Sequence, residues 1–119
     1  MKRKEILKGA NIHITTHAIQ RYLDRAGIMS EEMFERTLKE SHDGNRDAKN
    51  FIEKHRKELT VKFKNSVLQR FLKNGAEMRS ELSGSMNKRC TFVCYKKGNR
   101  FTVVTAYLQG HKNNVWKIS

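Results

Sequence analysis

A chain of 119 residues, 37% hydrophobic and 31% charged, is sized for one domain with a single modest core, which excludes a disordered tract and a large multidomain protein. Its 25 Lys and Arg against 12 Asp and Glu leave a formal charge of +13, a self-repulsion that calls for an anionic partner. No apolar run nears the roughly 20 residues that span a bilayer, and no signal-peptide core follows Met-Lys-Arg-Lys-Glu, so no membrane partner and a cytoplasmic location are expected.

The run Ile12-His13-Ile14 alternates, which turns His13 away from its two apolar neighbours and makes it a reserve candidate beside His17. Thr15 or Thr16 caps a first helix that Gly27 ends, with Ala18, Ile19, Tyr22, Leu23 and Ala26 as its core-facing stripe. Ser30 followed by Glu31 and Glu32 opens a second helix, and Met33, Phe34, Thr37 and Leu38 are its inward positions. After Asp43-Gly44-Asn45, the residues Phe51, Ile52, His55, Leu59, Phe63, Val67, Leu68 and Phe71 keep a three-to-four spacing toward Asn74-Gly75. This spacing predicts one long helix, or two with a break near Thr60 and Val61.

β-Structure follows. Arg89 to Lys96, a Lys97-Gly98-Asn99 turn and Arg100 to Leu108 read as a hairpin rich in Val, Thr, Tyr and Phe; Ala76 to Leu82 and Val115 to Ile118 are weaker strand candidates. Helices first and strands later predict an α+β fold, with N-terminal helices packed on one face of a C-terminal antiparallel sheet. Cys90 and Cys94, four apart on a strand, face the same side roughly 13 Å from each other, too far for a disulfide; both read as small core or half-buried residues.

Charge is uneven along the chain. Glu81 is the last acidic residue, so Lys88, Arg89, Lys96, Lys97, Arg100 and Lys112 lie in an acid-free stretch that suits a polyanion such as nucleic acid. Tyr95, Phe101 and Trp116 are the aromatic residues that could stack on unpaired bases among these cations. No group of Asp, Glu and His stands at metal-ligand spacing, so neither metal nor cofactor is expected. A helix-turn-helix reading of residues 15–40 is disfavoured, because Glu31, Glu32 and Glu35 would open its recognition helix against phosphate.

On the first helix His17, Arg21 and Arg25 follow one another at intervals of four, in a single column opposite the apolar stripe. Like charges in a column repel, so a phosphate is a natural complement, and the helix dipole favours a neutral imidazole in the first turn. The bland alternative is a solvated helix face. The string Thr15-Thr16-His17-Ala18-Ile19-Gln20-Arg21-Tyr22-Leu23-Asp24-Arg25 resembles the opening helix of the barnase/RelE-like ribonuclease superfamily, which contains many toxin domains. Val103-Val104-Thr105-Ala106-Tyr107 looks like that superfamily's late strand, in which a Thr or Tyr often faces the active cleft.

The resemblance implies metal-independent endoribonuclease activity by 2′-hydroxyl attack, with RNA as the partner and room for a neutralising acidic inhibitor protein. His17 would be the base, Arg21 and Arg25 the electrostatic clamp, and His111 or Tyr107 the acid, with Thr105 and Tyr107 at the matching strand positions. By strand alternation Thr105 and Tyr107 should share a face with Phe101 and Val103. Two other functions stay open: a non-catalytic nucleic-acid-binding protein, or a small basic inhibitor that docks on an acidic host protein.

Overall fold

The computed structural model describes Leu7, residues 9–81 and residues 89–108. The elements, in chain order, are β1 (Asn11–Ile14), α1 (Thr16–Arg25), α2 (Glu31–His42), α3 (Arg46–Lys64), β2 (Ser66–Phe71), β3 (Glu77–Glu81), β4 (Cys90–Lys97) and β5 (Arg100–Leu108). The expected strand at 115–118 and the candidate residues Lys88, His111 and Lys112 lie outside the described residues.

Local signals set the helix ends. Thr15 caps α1 by accepting from the Ala18 amide, Ser30 caps α2 by accepting from Met33, and Asn45 caps α3 by accepting from Ala48. Gly27, at φ +74°, closes α1, and the Ile28 amide then reaches back to the Leu23 carbonyl at 2.9 Å. The hairpin forms as expected around Gly98, whose φ of +60° suits a two-residue loop.

The long helical reading of 51–71 is corrected: α3 stops at Lys64, and Ser66–Phe71 form the edge strand β2. Phe63, Val67, Leu68 and Phe71 keep helical spacing by sequence. The backbone nevertheless leaves the helix at Asn65, whose side chain donates to the Val61 carbonyl, while the Ser66 hydroxyl donates to that of Phe63. Pairing with β3 then holds residues 66–71 extended.

The fold is α+β, and helices pack on one face of a five-stranded sheet ordered β1-β5-β4-β3-β2. The sheet is mixed rather than wholly antiparallel, because β1 pairs parallel to β5, with Ile14 opposite Val103. A parallel pair needs a crossover, and all the chain between β1 and β5 serves as one. The core lies between helices and sheet: Ala18, Ile19 and Leu23 of α1, Phe34 of α2 and Leu59 and Phe63 of α3 meet Cys90, Phe92, Cys94, Phe101, Val103 and Ala106. Phe63 anchors it edge-on, 5.3 Å from the Phe92 ring and 5.4 Å from that of Phe101. Both cysteines are buried in this layer, and no disulfide joins them. Among the described residues no helix is long and apolar enough to cross a membrane.

Candidate nucleic-acid interface

The sheet divides the charge of the molecule. Nine of the acidic residues, from Asp24 to Glu58, belong to the helices and their connections. The strands carry two more, Glu77 and Glu81, and both point to the helix side: Glu77 stands opposite the core residue Cys94, and Glu81 accepts from the Cys90 amide at 3.0 Å. Between them Arg79, opposite Phe92, is buried on the same side. It donates to Glu77 at 3.1 Å and to the Ser66 hydroxyl and carbonyl, and stacks against the rings of Phe63 and Phe101. Strand alternation alone would have pointed these charges at solvent; pairing within one face makes their burial tolerable.

The opposite face, on which none of the described helices packs, reads as rows across the strands. At the hairpin end Lys97, Arg100 and Asn11 form one row, and Tyr95, Thr102 and His13 the next. Arg70, Met78, Val93 and Thr105 form a third, and Val67, Ser80, Thr91 and Tyr107 a fourth by backbone register. Rows are spaced by two residues, roughly 7 Å, and strands by about 4.8 Å. No carboxylate stands in any of these rows. His13, Arg70, Tyr95, Lys97 and Arg100 are exposed, whereas Val67, Ser80 and Thr91 at the other end are buried. Every ion pair among the described residues lies in the helix layer or on the helix side of the sheet.

A bulge decides what faces this surface. Val103 stands opposite Cys94 and Thr105 opposite Val93, so Val104 is an extra residue in β5. Alternation shifts by one at that point. Phe101, Val103 and Ala106 are therefore the core positions, and Thr105 falls on the open face. The expectation that Thr105 shares a face with Phe101 and Val103 is corrected; strand position 107 follows Thr105 in the shifted alternation, opposite Thr91.

Of the predicted helical column, Arg21 is paired with a neighbouring helix. His17 is exposed in the first turn of α1. Arg21 leans to α2, where its Nη1 donates to Glu31 at 3.2 Å and Nε has no hydrogen-bond partner. Arg25 is half-buried in the last turn. Among the described residues no hydrogen bond joins His17 to Arg21, to His13 or to Thr105, and His111 and the side chain of residue 107 lie outside the described part of the protein. Among the predicted binding residues, Lys97 and Arg100 stand on the open face, Lys96 sits on the other side over Phe101, and Arg89 is half-buried before β4. Arg70 carries no signal in the sequence, because the spacing of residues 66–71 predicts helix. Among the described residues no three of His, Cys, Asp and Glu are grouped as a metal ion would need.

No protein-family model, curated protein or solved structure matches this chain.

Proposed function

We propose that this protein binds RNA across the acid-free face of its sheet. The observation that supports the reading is the segregation of charge: the carboxylates of the described residues lie in the helix layer and on the helix side of β3, while Arg70, Lys97, Arg100 and His13 share the other face with the exposed ring of Tyr95. Among the described residues these cations have no ion-pair partner, so they are available to displace the counterions of a phosphate backbone, and release of those ions gives salt-dependent affinity. RNA is chosen over DNA on the resemblance carried by residues 15–25.

A second reading adds cleavage to binding, in the metal-independent endoribonuclease class that the same resemblance implies. The Val104 bulge favours it, since Thr105 of the matched strand is placed on the surface that would hold RNA. In such a step a base removes the proton of a 2′-hydroxyl, that oxygen attacks the adjacent phosphorus, and the 5′-oxygen departs with a proton from an acid, leaving a 2′,3′-cyclic phosphate. His13 is exposed opposite Thr102 of β5, and His17 is exposed in the first turn of α1, the helix that packs on β5. Total RNA incubated with the protein in excess EDTA separates the readings. Cleavage that survives the chelator and disappears in His17→Ala or His13→Ala supports the nuclease; intact RNA held in a salt-sensitive complex supports binding alone.

A further inference from the structure

Tyr95 is set apart by the face it occupies. Phe92 and Phe101 are buried in the core and Phe71, though exposed, stands opposite Glu77 on the helix side of the sheet, whereas Tyr95 is 44% exposed on the acid-free face. Its ring is held in place: the Asn74 side-chain amide, from the turn between β2 and β3, donates to the Tyr95 hydroxyl at 3.0 Å. Asn74 is itself fixed, since its other side-chain atom accepts from the Ala76 amide at 3.1 Å. A ring that is already oriented loses little freedom when a flat partner settles on it. Around it stand cations on both sides, Lys97 and Arg100 in the row toward the hairpin tip and Arg70 in the row behind, with Lys73 next to Asn74 in the turn.

This is the combination that single-stranded nucleic acid requires, an aromatic platform for one base and flanking charges for the backbone on either side of it. A duplex keeps its base faces stacked inside and offers this surface phosphates, 2′-hydroxyls and base edges but no face for a ring to stack on. We infer that Tyr95, positioned by Asn74, is a base-stacking platform that makes the open face selective for unpaired RNA over duplex. The inference rests on the reading of that face as the RNA interface.

The test is fluorescence anisotropy with a labelled 2′-O-methyl 12-mer, free or annealed to its complement, so that cleavage cannot consume the probe. Wild-type protein should prefer the single strand. Tyr95→Ala should weaken single-strand binding about tenfold, the loss expected for one stacked base, and leave duplex binding unchanged. Tyr95→Phe keeps the ring and should retain most of the affinity; Asn74→Ala, which frees the ring, should fall between the two. Equal affinity for both probes, with Tyr95→Ala silent on either, overturns the stacking platform while leaving the interface in place. Salt-sensitive binding of neither probe overturns the interface and the platform together.

Discussion

Thr15 meets Val103 through two hydrogen bonds to one carbonyl, from its amide at 3.1 Å and from its hydroxyl at 2.9 Å, while the same hydroxyl caps α1 by accepting from Ala18. One side chain thus joins the end of β1, the start of α1 and the middle of β5. The contact also sits next to the Val104 bulge, the point at which β5 changes its inward face. Thr15→Ala should lower stability by about 1–2 kcal/mol, the sum of a lost cap and a lost side-chain bond to the strand. Thr15→Ser should recover most of it. Urea unfolding curves followed by circular dichroism measure both.

Arg79 gives a second stability prediction. Its guanidinium is buried, paired with Glu77, bonded twice to Ser66 and flanked by two phenylalanine rings. Arg79→Ala leaves the Glu77 carboxylate buried without its partner and should cost about 3–5 kcal/mol. The double variant Arg79→Met with Glu77→Gln removes both charges and keeps the volume, so it should unfold at clearly higher urea than Arg79→Ala. Identical midpoints for the two would show that lost packing, not the stranded charge, sets the cost.

Alkaline pH should act through Tyr22 and Cys94. Burial, reinforced by the Glu58 carboxylate, pushes the Tyr22 hydroxyl from 10.0 up to about 12. Burial and Glu77, opposed by Arg79, push the Cys94 thiol from 9.0 up to about 12. The folded protein holds both protons more tightly than the unfolded chain does. Their contribution to stability is therefore complete below about pH 9 and is lost as pH rises toward about 12. Melting temperatures should fall over that window, and the fall should be shallower in Tyr22→Phe, which has no proton to lose there. A slope unchanged by the substitution would contradict the assignment.

Most of the helical layer and the hairpin were legible, because caps, glycine stops and apolar spacing are local signals. Thr15, Ser30 and Gly27 act where the sequence puts them, and Gly98 turns the hairpin. Three features were not legible, and each depends on residues distant in sequence. Val67, Leu68 and Phe71 fit a helix period and become a strand only by pairing with β3. Glu77, Arg79 and Glu81 face inward because Ser66, Cys90 and one another meet their charges. The extra residue at Val104 leaves no mark in composition, yet it reverses the face of Thr105. Of the candidate site, Lys97, Arg100, Tyr95 and His13 were visible as residue types; that they share one acid-free surface follows from strand register alone.

The central claim, that the acid-free sheet face holds RNA, is tested most directly by two charge reversals of equal size on opposite sides of the molecule. Lys97→Glu with Arg100→Glu alters the open face, and Lys54→Glu with Lys57→Glu alters the exposed side of α3. Filter binding of RNA across a salt series should show a loss of affinity of tenfold or more for the first pair, with the slope against log salt reduced by about 1–2; the second pair should stay close to wild type. Equal losses for the two pairs would mean that net charge alone attracts RNA, and would contradict a dedicated interface on the sheet.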